Sequence, residues 1–134
     1  MRLRYIARLA DDKDILVLAR RVNSTFLRQG KTELEKLDED HRAVVLEEGG
    51  EIASFIAFYR IEDDFYCTIC WTSPRYRGRR CFARLVDWLK NYAQWHGVKR
   101  LAFDVHHDNE AMVRIMERHC EKTFVRYNLG VECQ

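Results

Sequence analysis

Apolar residues recur along this chain with two different periods, and the switches between them mark out its elements. Leu3 to Leu9 is short and β-compatible. Asp11, Asp12 and Asp14 then offer cap candidates and first-turn acids, and Ile15, Leu18, Ala19, Val22 and Phe26 follow at spacings of three and four. That is one face of an amphipathic helix, expected over about residues 12–28 and ended by Gln29-Gly30. Thr32 with Glu35 three residues on has the form of a capping box, which predicts a short second helix to about residue 39.

From Arg42 the texture turns β-rich. Two apolar runs, Ala43 to Leu46 and Ile52 to Tyr59, flank Gly49-Gly50, a hairpin signal because both central residues of a type I′ turn need positive φ. Glu62-Asp63-Asp64 makes the next turn, and Phe65 to Thr72 a fourth strand. A third helix is expected over about 79–96, with Phe82, Leu85, Val86, Leu89, Tyr92 and Ala93 on one stripe and His96-Gly97 as its stop. Lys99 to His106 reads as a fifth strand, with Leu101, Phe103 and Val105 on one face and Ala102, Asp104 and His106 on the other. Asp108 or Asn109 can cap a fourth helix carrying Met112, Ile115, Met116 and His119 on one side, and Phe124 to Leu129 alternates as a last strand.

Composition narrows the class. The 134 residues suffice for one domain, 1–134, and 47% hydrophobic with 33% charged residues describes a compact globular chain. A net charge of +2 gives no global case for nucleic acid, so only local clusters can argue for it. No stretch has signal-peptide or membrane-spanning character, which points to a cytoplasmic protein without a membrane partner. Five unevenly spaced cysteines suit a reducing compartment. Cys67 and Cys70 have C-x-x-C spacing, but an odd separation in a strand is expected to put the sulfurs on opposite faces, so no metal site is expected.

One stretch concentrates chemistry. Between the fourth strand and the third helix runs Thr72-Ser73-Pro74-Arg75-Tyr76-Arg77-Gly78-Arg79-Arg80-Cys81-Phe82-Ala83, with four arginines in the turn. A strand running straight into a helix start leaves first-turn amides unpaired beside the positive end of the helix dipole, and guanidinium groups there complete an anion site. Cys81, next to Arg79 and Arg80, has an environment that lowers a thiol pKa, although its spacing to Leu85 and Trp88 also places it on the buried stripe.

This stretch resembles the acetyl-CoA loop of the GNAT superfamily of N-acetyltransferases, through Pro74, Tyr76, Arg77 and Gly78. Arg80 and Phe82 stand where that family usually has small residues. The resemblance implies an α/β (α+β) fold with a mixed, mainly antiparallel central sheet and helices on both faces. It also implies an acetyl-CoA-dependent transfer of an acetyl group to an amine, on a small molecule or a protein. In that scheme the backbone of Cys70, Trp71 and Thr72 pairs with the pantetheine arm, and Arg77, Gly78, Arg79, Arg80, Cys81, Phe82 and Ala83 hold the pyrophosphate. Asn109 matches an asparagine that contacts the cofactor arm. Met116, seven residues on, replaces the family's proton-donating tyrosine. Asp64 falls where some members carry a carboxylate base, beside the plain reading of a turn residue. His106, at the end of the fifth strand, is the second candidate base. The family usually closes with two strands where this chain has room for one and a stub; either the sheet is shorter, leaving an edge for a homodimer to pair, or the fourth helix ends elsewhere than expected. The rival is a non-catalytic module of the same fold that binds protein, nucleic acid or CoA, with nucleic acid the less favoured partner for the arginines.

Overall fold

A computed structural model of the chain describes residues 4–28, 42–105, 108–121 and 129–130, and for Ala19 and residues 22–28 only the helical backbone. The chain falls into two compact units, Met1–Phe103 and Asp104–Gln134. The first holds β1 (Tyr5–Leu9), α1 (Asp12–Arg28), β2 (Arg42–Glu48), β3 (Glu51–Ile61), β4 (Asp64–Thr72), a 3₁₀ turn at Pro74–Tyr76, α2 (Cys81–Trp95) and β5 (Arg100–Phe103); the second holds α3 (Glu110–His119). The five strands form one sheet in chain order, antiparallel from β1 to β4 and parallel between β4 and β5. The expected second helix near residues 32–39 and the last strand from Phe124 lie outside the described residues.

Alternation in the strands sends side chains to two separate cores. Val44, Leu46, Ile56, Phe58, Phe65 and Cys67 pack with Cys81, Leu85, Leu89 and Ala93 of α2. On the other face, Ala43, Val45, Phe55, Ala57 and Ile69 pack with Leu18 and Ile15 of α1. The two helices therefore cover opposite faces of the sheet. The sequence stripe of α1 is described as far as Leu18, and its remaining apolar side chains lie outside the described residues.

Local chemistry explains the element ends. Asp11 and Asp14 exchange backbone-to-carboxylate hydrogen bonds (2.9 and 3.0 Å), a reciprocal cap on α1. Arg8 on β1 reaches Asp14 (2.7 Å) and Glu47 (3.0 Å), so the cap is also tied to the sheet. Burial alone would raise the Asp14 carboxyl, but its bonds from Arg8 and Asp11 outweigh that and hold it below the usual range. Gly49 and Gly50 take φ of 58° and 80°, as the hairpin between β2 and β3 requires.

Three expectations are corrected. First, β4 carries a bulge: Ala57 pairs with Ile69 and Phe58 with Cys67, which leaves Thr68 as an extra residue. The extra residue resets the alternation, so Cys67 and Cys70 both face the α2 core rather than opposite sides of the sheet. Among the described residues they still join no cluster of three metal-ligating groups. Second, β5 ends at Phe103 instead of running to His106. Its pairing with β4 stops at Cys67, immediately before the bulge, so beyond that point there is no ladder for Asp104 and Val105 to continue. His106 lies outside the described residues. Third, α2 starts at Cys81 rather than near Arg79, because Gly78 and Arg80 take left-handed φ of 76° and 60° and delay the helix.

Candidate functional site

The sheet opens where β4 and β5 part. They pair from Asp64–Arg100 to Cys67–Phe103, and β4 then runs on through Thr72 with no β5 partner. Among the described residues, the edge of β4 from Thr68 to Thr72 on that side meets no strand. This unpaired edge has outward amides and carbonyls, the backbone groups an extended ligand arm can bond.

Beside the end of β4, paired with Thr72 across the ladder, sits Ser54, a buried polar residue of β3 with 1% of its surface exposed. Its hydroxyl donates to the Trp71 carbonyl (2.8 Å) and lies 2.8 Å from the Thr72 hydroxyl. Sequence reading passed over Ser54; the available signal was one hydroxyl in the apolar run Ile52–Phe58. Trp71 points to the other face, against Phe55, with the Arg21 guanidinium 5.7 Å from its ring centroid.

The loop after β4 is held by Tyr76, whose ring is buried (2% exposed). Its hydroxyl reaches Glu48 (3.0 Å) and Glu51 (3.1 Å), and burial together with these two carboxylates pushes its pKa up to about 12. Arg75 and Arg79 each lie 5.7 Å from the Tyr76 ring centroid, and Arg75 also pairs with Glu51 at 3.4 Å. Two of the four loop arginines therefore build the loop. The guanidinium groups of Arg77 and Arg80 have no hydrogen-bond or ion-pair partner among the described residues, and both residues are exposed.

Arg80 is the N-cap of α2, with φ 60° and no side-chain cap bond, and no acid stands in the first turn. The first bond into the helix is Arg84 N–H to the Arg80 carbonyl at 3.2 Å. The amides of Cys81, Phe82 and Ala83 thus have no carbonyl partner within the helix, the condition for holding an anion. Nothing lies within 4 Å of where a Cβ would stand on Gly78, so the loop backbone is open on that side. Phe82, bulky for this position, packs its ring edge-on against Phe103 at 6.0 Å, toward the end of β5.

Burial raises the pKa of the cysteines near the site. Cys81 is buried and donates to the Tyr76 carbonyl at 3.6 Å. Burial raises its pKa against the pull of Arg84 and Arg79, so the buried stripe and not the activated thiol describes it. Burial pushes Cys70 up to about 12 and raises Cys67 as well.

Asp64 stands at the opposite end of β4 from this loop, and its carboxylate accepts from Arg100 Nε at 2.8 Å. The structure does not bring it to the opened edge of the sheet. In the second unit, Asn109 caps α3 by accepting from the Met112 amide at 3.3 Å. Met116 is half-buried, with the Cys120 thiol 3.5 Å from its sulfur.

The Acetyltransferase (GNAT) family pattern matches residues 13–121. The chain belongs to the GNAT acetyltransferase family. Among solved structures, a ribosomal-protein-alanine N-acetyltransferase from Brucella melitensis biovar Abortus 2308 superposes with a TM-score of 0.78 at 14% identity, covering 96% of this chain and 100% of that one. An aminoglycoside N-acetyltransferase in complex with CoA gives 0.73 at 12% identity, covering 99% and 98%. A possible acetyltransferase from Clostridium difficile 630 gives 0.68 at 16% identity, covering 96% and 99%. At such identities the likeness establishes the GNAT fold and leaves the substrate open. No curated protein matches the chain in sequence.

Proposed function

We propose that this GNAT protein transfers an acetyl group from acetyl-CoA to an amine. The observation that carries the reading is the parting of β4 from β5 beside the open first turn of α2. There an edge with unpaired backbone groups, free first-turn amides and two guanidinium groups without a partner among the described residues fall within one stretch, residues 68–83. This donor set fits a thioester arm joined to a diphosphate. The backbone of Cys70, Trp71 and Thr72 would hold the arm, and the loop from Arg77 to Ala83 the pyrophosphate. Asn109 uses its carbonyl oxygen as a helix cap, which leaves its amide nitrogen to donate.

The co-substrate supplies an activated acyl group, and the chain supplies binding and orientation. Ser54 fixes the end of β4 from the adjacent strand, and Tyr76 fixes the loop. Arg100 engages one carboxylate oxygen of Asp64 and leaves the other to accept a proton, but Asp64 stands at the far end of β4, and His106 remains the alternative acceptor. The acceptor is an amine on a small molecule or a protein. Support for the small-molecule class comes from structural neighbours whose substrates are aminoglycosides.

Thiol release from acetyl-CoA, measured with an aminoglycoside and with a peptide bearing an N-terminal alanine, tests the reading. Amine-dependent release supports it. Binding of acetyl-CoA without release for any amine would instead support the non-catalytic module, the reading favoured by Met116, whose thioether has no proton to give the leaving thiolate.

A further inference from the structure

A second concave site lies in the first unit, at the end of the sheet away from the arginine loop. It is a cavity of about 520 Å³ whose lining includes Arg42, Phe58, Arg60, Phe65, Tyr92 and His96. That volume falls within the range of small-molecule sites, about 300–1,000 Å³.

The sheet register explains why charge collects there. Val44 and Leu46 of β2, and Ile56 and Phe58 of β3, face the α2 core. Continuing each column by one step on the same face gives Arg42 and Arg60, with Arg42 directly opposite Phe58 and Arg60 diagonal to it. Diagonal neighbours stand about 7 Å apart, so two like charges here repel unless something offsets them. Arg60 has a structural explanation: it donates to the carbonyls of Glu62 (2.9 Å) and His96 (3.0 Å) and so closes the C-terminal end of α2. Arg42 has none. Among the described residues its guanidinium meets no acceptor, and the nearby acids Asp63 and Asp64 are engaged by Lys99 and Arg100.

The remaining wall is aromatic and closely packed. Tyr92 lies stacked on Trp88 (5.2 Å, 14°) and on Phe65 (5.8 Å, 21°), with Phe58 against both Tyr92 and Phe65. His96 sits 4.3 Å from Tyr92, centroid to centroid. Within the described residues neither the Tyr92 hydroxyl nor the His96 ring nitrogens make a hydrogen bond. Packed aromatic walls with one guanidinium and two polar groups that have no partner among the described residues are the parts of a binding site.

We propose that this cavity binds a small aromatic anion, a planar ring carrying a carboxylate or phosphate, with Arg42 holding the charge and the ring lying against the aromatic wall. The site is independent of acetyl transfer and stands or falls separately from it. Its position at the last turn of α2, the helix whose first turn faces the acetyl-CoA loop, makes it a place for an effector rather than a reactant.

Benzoate and phenyl phosphate are the probes, titrated into the full-length isotope-labelled protein while backbone amide resonances are followed. Both should shift the amides of Phe58–Ile61 and Tyr92–His96. Inorganic phosphate and benzyl alcohol, each carrying half of the ligand, should bind at least about tenfold more weakly. Arg42→Ala, at an exposed position, should weaken benzoate by at least about tenfold with the free spectrum otherwise retained, and Tyr92→Phe should weaken it by a smaller factor. Unshifted amides in those two segments would overturn the proposal. So would equal binding by inorganic phosphate, shifts confined to Arg77–Ala83, or affinity unchanged in Arg42→Ala.

Discussion

The two ends of β4 use the same residue types and treat their charges in opposite ways. At the Asp64 end, Asp64 pairs with Arg100, Asp63 with Lys99, and Arg60 bonds two carbonyls, which among the described residues leaves Arg42 as the unpaired guanidinium lining the cavity there. At the Thr72 end, Arg75 and Arg79 brace Tyr76, while Arg77 and Arg80 face solvent beside amides that the helix leaves unbonded. Charge that has found a partner reports on folding. Charge left over beside unsatisfied backbone reports on a ligand, and that difference separates structural arginines from binding ones better than exposure does.

The comparison can be broken from the core outward. Leu85 is fully buried one turn into α2, directly supporting the loop end. Leu85→Ala should cost about 2–5 kcal/mol in denaturant unfolding and weaken acetyl-CoA with it. A loss under about 1 kcal/mol would mean that the loop end is not built on this core.

High pH should also strike the Thr72 end. Cys70 and Tyr76 ordinarily titrate near 9.0 and 10.0, and the fold pushes each to about 12. Each is held neutral in the folded state, so the unfolded chain releases its proton first. Their contribution is fully present below the unfolded values and is lost as pH rises from about 9 toward about 12. Melting temperatures followed across that window should fall, and Cys70→Ala should flatten the fall. A flat wild-type profile would contradict the burial of both groups.

Arg80→Gly sharpens the view of the loop itself. A left-handed non-glycine residue costs about 1–2 kcal/mol, and the added freedom of glycine in the unfolded chain offsets part of the relief. Stability should rise by up to about 1 kcal/mol, while acetyl-CoA binding loses one guanidinium contact. A clear destabilisation would show that Arg80 has a structural partner.

Smallest of all should be Asp64→Asn, which opens a partly exposed ion pair worth less than about 1 kcal/mol. Its kcat should fall by less than about tenfold. A hundredfold loss with the fold intact would identify Asp64 as the base and overturn the view of the Asp64 end as structural.

Much of this was legible in the residues. The hairpin followed from Gly49-Gly50, α1 from its apolar spacing and Asp11, and the loop from Pro74, Tyr76, Arg77 and Gly78. What escaped was set by pairing partners and not by local pattern. Thr68 looks like any strand residue, yet its lack of a partner on β3 turns Cys70 to the same face as Cys67 and accompanies the end of β5. Phe103-Asp104-Val105 keeps a strand's alternation, but the ladder that would extend it stops at Cys67. Ser54 became visible only once the end of β4 lay alongside it. Arg80 looked like an obstruction in a sequence position that favours small residues; in the fold it adopts the backbone conformation that glycine would.

The measurement that bears most directly on the central claim is calorimetric titration of acetyl-CoA into the wild-type chain and into the Arg77→Ala/Arg80→Ala double variant, at two salt concentrations. The account predicts wild-type binding near the micromolar range, about −8 kcal/mol. It predicts a loss of about tenfold or more in the double variant, whose residual binding responds less to salt. No heat of binding to the wild type at two temperatures, or equal affinity in both proteins, would contradict it.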